Sequence, residues 1–348
     1  MDVLWYASIG ISVLFAYILG SVVPYLWRKR RDRAILQRNF PAPAAAHWLL
    51  GHVPLLSGLS YETLMLFSRW TKSYPRYYLF HAGPFDTKLV LNHAETIKQL
   101  TKTYEPKQLG FGGVYSFNLP FFGEGLVLSS GAKWHRNRKL LTPAFHFDVL
   151  KGYGHIFNEC ALKFVKKLDE LSAKTGESVE ISDHLRMCTL EIVMRAAFSS
   201  GTDVQGHGDS CKYANATDFL SKQVIKRAIT PLHHFDWLYK RTQEGKQFYE
   251  YAKYVNNVAA TVIDQRRSAL AQSEVGDNKD SCKNNRKHLD FLDRLLLARD
   301  EDGNGLSRED LLNEVKTFMF AGHDTTKSGI MWLIYNLAKY PDHQAKAR

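Results

Sequence analysis

Between Ser307 and Pro341 the sequence runs for about thirty residues without a proline, and as one α-helix that stretch would be near 45 Å long, enough to cross a whole domain. Ser307 with Asp310 three residues on makes a capping-box-like start, and Pro341 marks the stop. At its centre stands Ala321-Gly322-His323-Asp324-Thr325-Thr326, with Phe318, Met319 and Phe320 before it and Ile330, Met331, Trp332, Leu333 and Ile334 after it. A helix apolar on nearly all sides is expected to be buried, and polar groups taken out of water need partners. The pattern therefore predicts a proton-handling pair, Asp324 and Thr325, in the wall of an internal cavity, which points to an enzyme. Gly322 is expected to open space on the helix, and the glycine and hydroxyls predict a local distortion that admits water. A plainer reading has Thr325 bonding back to a carbonyl one turn earlier and Asp324 meeting a basic partner.

The other end of the chain sets the compartment. Residues 3–27 carry no charged side chain, and as a helix they would span roughly 37 Å, enough for a hydrocarbon core of about 30 Å. Arg28, Lys29, Arg30, Arg31 and Arg33 follow at once, so the positive-inside rule puts the amino terminus outside or in a lumen and the rest in the cytosol. A cleaved signal peptide fits less well, because the apolar run is too long and the basic cluster follows it. The 46 Lys and Arg against 35 Asp and Glu give +11, which suits an anionic membrane surface or an acidic partner; no nucleic-acid motif accompanies it. Cys160, Cys188, Cys211 and Cys282 lie far apart, with no zinc or disulfide spacing, as expected in a reducing compartment.

Phe40-Pro41-Ala42-Pro43 predicts a stiff extended linker. Residues 77–80 and 88–91, around Gly83-Pro84, predict a small hairpin. From Ala94 the chain reads helical, with candidates at 133–141, 147–171, 184–198 and 246–271, a glycine-rich interruption at 110–125 and a polar surface loop at 273–288. The expected organisation is an anchor at 1–27, a basic stop and proline-containing linker at 28–60, and a catalytic domain at 61–348.

Trp134-His135-Arg136-Asn137-Arg138 places an indole N–H and a guanidinium four residues apart, on one helix face, able to point at one anion. Asp300-Glu301-Asp302-Gly303-Asn304-Gly305 has the opening of a calcium loop, but its twelfth position is Leu311 rather than a bidentate Glu, so a polar turn is the better reading.

Together these motifs closely resemble the cytochrome P-450 family of haem-thiolate monooxygenases, over essentially the whole chain. Ala-Gly-x-Asp-Thr-Thr matches that family's oxygen-activation motif and Trp-x-x-x-Arg its haem-propionate clamp. The stretch from Tyr104-Glu105-Pro106-Lys107 through Trp134 to His146-Phe147, with Thr317-Phe318-Met319-Phe320, is similar to the animal family-4 branch, associated with ω-hydroxylation of fatty acids and related lipids. The resemblance implies a mainly α fold with small β elements, preceded by one transmembrane helix. It implies haem b bound through Trp134 and Arg138, with Ala321 and Gly322 beside it. Asp324 and Thr325 would supply protons for oxygen activation, and Phe320 and Ala321 would meet a lipid or fatty-acid substrate. Electrons would come from NADPH through a flavoprotein reductase, with cytochrome b5 as a further donor. The location would be the endoplasmic reticulum membrane, single-pass, with the catalytic domain cytosolic.

Two departures bear on that expectation. Many family-4 enzymes carry, just before Gly-x-Asp-Thr-Thr, a Glu that becomes ester-linked to the haem; here it is Ala321, which implies haem held without that bond. The family's Glu-x-x-Arg pair and its Phe-x-x-Gly-x-Arg-x-Cys-x-Gly segment, source of the axial thiolate, are absent, so the iron-ligating cysteine is expected beyond Arg348 and the chain alone is expected to be inactive. A truncated, non-catalytic, membrane-anchored protein is the alternative, and a tethered helical interaction protein ranks last because it leaves both motifs unexplained.

Overall fold

The computed structural model describes residues 6, 17, 20–21, 23–44, 46–58, 60–83, 86–101, 107, 109, 113–175, 178–207, 211–276 and 289–348. They fall in two compact units, Met1–Glu105 and Pro106–Arg348. The expected anchor at 3–27 lies mostly outside the described residues, and among those described no helix is long and apolar enough to cross a membrane.

In the first unit, helix α1 (Val23–Asn39) carries the basic cluster and ends just before Phe40-Pro41, where proline disfavours helix in the preceding residue. Helix α2 (Tyr61–Ser73) starts at Ser60, whose hydroxyl accepts the Thr63 N–H. Strands β1 (Tyr77–His81) and β2 (Thr87–Leu91) form the expected hairpin, antiparallel with Tyr77 opposite Leu91, and α3 (Ala94–Thr101) follows. Trp70, Tyr78 and Leu79 are its apolar centre, beside the stacked rings of buried His52 and His81, 5.3 Å apart. Burial holds the His81 imidazole down to about 4, so the ring is a neutral packing element.

The regular elements described in the second unit are helices: α4 (Leu119–Phe122), α5 (Gly131–Leu141), α6 (Phe147–Lys151), α7 (Gly154–Thr175), α8 (Ser182–Phe198), α9 (Val204–His207), α10 (Lys212–Ile229), α11 (Asp236–Tyr239), α12 (Gln243–Gly276), α13 (Phe291–Leu297), α14 (Arg308–Lys339) and α15 (Pro341–Ala347). A single core runs through it, including Phe121, Leu190, Leu220, Phe248, Val255, Leu292, Val315 and Met319. The long central helix is α14, and it packs most extensively on α8. Its start is as the sequence predicts: Ser307 Oγ accepts the Asp310 N–H at 3.0 Å and donates to the Asp310 carboxylate at 2.8 Å.

Several expectations are corrected. The helix expected over 147–171 is two, interrupted at Gly152 and Tyr153. Helix α12 runs on to Gly276, into the segment expected to be loop, and 277–288 lie outside the described residues. The interruption at 110–125 contains a 3-10 turn at Val114–Asn118 and α4, because Phe117, Phe121 and Phe122 have a core to enter. Helix α14 is continuous, without the expected interruption, even though the Thr325, Thr326 and Ser328 hydroxyls each donate to the carbonyl four residues back.

Candidate functional site

Helix α14 is buried only over its first half. Leu311, Asn313, Glu314, Val315, Lys316, Thr317, Met319 and His323 are covered, whereas Thr325, Thr326 and Ser328 are exposed and Trp332, Leu333 and Tyr335 are more than half exposed. Among the described residues nothing covers the polar cluster on this half of the helix. An apolar pattern states which residues favour cover but not whether a neighbouring element reaches them. The Asp324 side chain is 38% exposed and meets Lys327 Nζ at 3.2 Å. Thr325 Oγ1 donates to Ala321 O at 2.7 Å. Both features of the plainer reading are therefore present, and Asp324 and Thr325 stand with water access rather than sealed off.

Gly322 does not open free space. A Cβ there would lie 2.8 Å from Val193 Cγ2 of α8, so the missing side chain lets two helices approach. Beside that contact an apolar cavity of about 330 Å³ is lined by Tyr153, Val193, Phe291, Phe318, Gly322 and Thr326. It takes Gly322 and Thr326 of the motif, not Asp324 and Thr325. Phe320 points elsewhere, its ring 5.3 Å from Phe121 and 5.2 Å from Phe122 of α4. His323 is buried with its Nδ1 2.8 Å from Met319 O, and burial lowers its basicity, so it serves packing.

Helix α5 presents Trp134, half-buried, and Arg138, exposed. Among the described residues neither side chain has an acceptor within the chain, whereas the flanking cations are all engaged: Lys133 with Asp310 at 2.9 Å, Arg136 with Asp300 at 2.8 Å, Lys139 with Glu301. An indole N–H and a planar guanidinium one turn apart, without internal competitors, form the donor set that a carboxylate-bearing cofactor needs. The propionates of haem fit that set. Asp300 anchors the polar turn, accepting the N–H groups of Asp302 and Asn304, so the calcium-like residues serve to hold Arg136.

No described cysteine shares this site. Cys160 and Cys188 are buried, Cys160 beside Glu191 and Arg195, and burial pushes the Cys188 thiol up to about 12. Cys211 precedes α10, and Cys282 lies outside the described residues.

Sequence reasoning missed Glu314. Fully buried on α14, it accepts the Leu126 N–H at 3.0 Å on one oxygen and Asn137 Nδ2 of α5 at 3.1 Å on the other. Burial raises its carboxyl above the ordinary range. The signal available was an acid lying beside Leu311, Val315 and Met319, where apolar residues are expected.

A family model described as Cytochrome P450 matches residues 41–348. Among curated proteins, the chain is similar to Rattus norvegicus Cytochrome P450 4F3, 36% identical over 343 residues, covering 98% of this chain and 63% of that protein. It is 40% identical over 318 residues to the Homo sapiens Ultra-long-chain fatty acid omega-hydroxylase, covering 89% of this chain and 58% of that one. It is 34% identical over 333 residues to the Mus musculus Leukotriene-B4 omega-hydroxylase 3, covering 96% of this chain and 63% of that one. The chain thus spans about three fifths of the length of these relatives.

Proposed function

The chain belongs to the cytochrome P450 family, in its family-4 branch, and from that premise we propose that the intact protein is a membrane-bound haem-thiolate monooxygenase that ω-hydroxylates fatty acids, while this chain by itself, without the iron-ligating cysteine, is inactive. The observation that carries this reading is the pair of unpartnered donors, Trp134 and Arg138, on a helix bonded to the helix bearing Asp324 and Thr325. Haem b, when bound, supplies the reduction of O2 and the transfer of one oxygen atom to a C–H bond.

The chain's own residues do the rest. Trp134 Nε1–H and the Arg138 guanidinium bind and orient the propionates, with the planar fork suited to two parallel bonds. Asp324 takes protons from water, which its partial exposure allows, and holds them near Thr325. The Thr325 hydroxyl, already donating to Ala321 O, keeps lone pairs to accept one proton as it releases its own. Ala321 offers a methyl where an ester-forming carboxyl would be needed, so haem is held without a covalent bond. Ala321 meets the hydrocarbon end of the substrate, whereas Phe320, packed on Phe121 and Phe122, supports that wall rather than touching the substrate. The names of two relatives, an ultra-long-chain fatty acid omega-hydroxylase and a leukotriene-B4 omega-hydroxylase, support a lipid substrate.

Residues 3–27 and the basic cluster after them support a single-pass anchor in the endoplasmic reticulum membrane, with an NADPH-dependent flavoprotein reductase docking on the cytosolic side and cytochrome b5 as a further electron donor. The test is turnover of dodecanoic acid by the intact membrane-bound protein with reductase and NADPH under labelled O2. One labelled oxygen at the terminal carbon is expected. Consumption of NADPH with no label in any product would overturn the assignment.

A further inference from the structure

We propose that Glu314 is a positioning residue that fixes the donors Trp134 and Arg138 relative to Thr325, an inference that rests on the haem reading of those donors. Three observations lead to it. Glu314 lies seven residues before Ala321 and eleven before Thr325, so all three fall within about 20° of one line on α14. The carboxylate that seizes α5 is thus on the stripe that carries the oxygen-activation residues, about 16 Å along the axis from Thr325. Its two oxygens hold two different segments, the Leu126 N–H and the Asn137 amide of α5. On α5, Trp134 and Arg138 lie about 60–100° around the helix from Asn137, adjacent to the bonded face rather than opposite it.

The third observation is how closely the intervening segment lies on α14. A Cβ on Gly125 would stand 2.5 Å from Thr317 Oγ1 and 2.7 Å from Asn313 O. Residues 123–128 therefore lie directly against the backbone of α14, and the segment leading into α5 has little freedom except through its bonds to Glu314. The cap residue Ser130 makes no side-chain bond to α5, so the helix is not located from its own start. On that flank the other tie to α14 is Lys133 with Asp310, a partly exposed pair that contributes little by itself. Those two donors are the main influences that offset the desolvation of this buried acid, and the Lys133 charge adds a smaller one.

The geometry gives a sharp contrast. Glu314→Leu keeps much of the bulk but removes both acceptors, leaving the Leu126 N–H and the Asn137 amide without them. Glu314→Gln keeps both ties, because its oxygen accepts from Leu126 while its amide donates to Asn137 Oδ1, which makes no bond in the parent chain and comes round by a half-turn of the Asn137 amide. The experiment is a haem titration of the intact protein followed by Soret absorbance, with amide hydrogen exchange over the same samples. Glu314→Leu should weaken haem binding about tenfold and speed exchange within residues 123–141 alone, whereas Glu314→Gln should leave both near the parent values. If Glu314→Leu does not fold, Asn137→Ala, which removes only the α5 end of the bond, should give the same two changes.

Haem affinity unchanged while residues 123–141 exchange faster would overturn the positioning role. So would a loss in Glu314→Gln as large as that in Glu314→Leu. Trp134→Phe with Arg138→Leu separates the two levels. If that pair leaves haem affinity untouched, the reading of the donors fails and this inference falls with it. If it weakens binding while Glu314→Leu does not, only the inference falls.

Discussion

Replacing Gly123 by alanine should destabilise the chain far more than the same change at Gly131, although both glycines have φ near +60° (63° and 62°). At Gly123 two effects add. With φ 63° and ψ −163° the backbone is in a region that is essentially glycine-only, worth about 1–3 kcal/mol. The new Cβ would also sit 2.0 Å from Asn313 Oδ1 and 2.4 Å from its Cγ, inside a buried side chain of α14, which adds about 1–3 kcal/mol of overpacking. At Gly131 nothing lies within 4 Å of the added atom, so only the backbone contributes, about 1–2 kcal/mol. Urea denaturation should separate the two variants by about 2 kcal/mol or more. Truncating Asn313 to alanine should recover part of the Gly123 loss, with a coupling of about 1–3 kcal/mol in the double-mutant cycle. Equal losses at the two positions, or no coupling to Asn313, would refute the claim that residues 123–128 lie against α14.

Thr325→Ala should leave stability within about 0.5 kcal/mol, since it removes one exposed back-bond, while oxygen consumption is diverted from product to peroxide; unchanged coupling would contradict proton delivery. Acid extraction should strip haem freely, and haem retained on the polypeptide would contradict the account of Ala321. Burial raises the Asp290 carboxyl from 3.8 to about 6, so its contribution is fully present below about pH 4 and is lost as pH rises through about 6. Asp290→Asn keeps an acceptor for the Asp293 N–H, now bonded at 2.7 Å, and should flatten that part of the stability profile in urea titrations; an unaltered slope would assign the titration elsewhere.

What the sequence disclosed followed how local its cause was. The start of α14 was readable because Ser307 and Asp310 are three residues apart and cap each other whatever surrounds them. The hairpin was readable from two β-rich runs around Gly83, and the shared face of Trp134 and Arg138 from their spacing. The apolar face around Trp332 was readable too, although periodicity marks a face only as suited to burial and leaves tertiary packing to decide what covers it. The joint at Gly152 and Tyr153 was hidden, since the apolar period continues across it. Glu314 escaped because its partners, Leu126 and Asn137, are more than 170 residues away in sequence. Gly322 was legible as special, but its partner Val193 is supplied by another helix.

The most direct test of the central claim is the carbon monoxide difference spectrum of reduced membranes expressing the intact protein, recorded alongside Trp134→Phe with Arg138→Leu. A haem-thiolate monooxygenase gives the red-shifted Soret band of thiolate-bound haem, and the paired substitution should reduce that band at equal protein level. Membranes that contain the intact protein but show no such band would contradict the account.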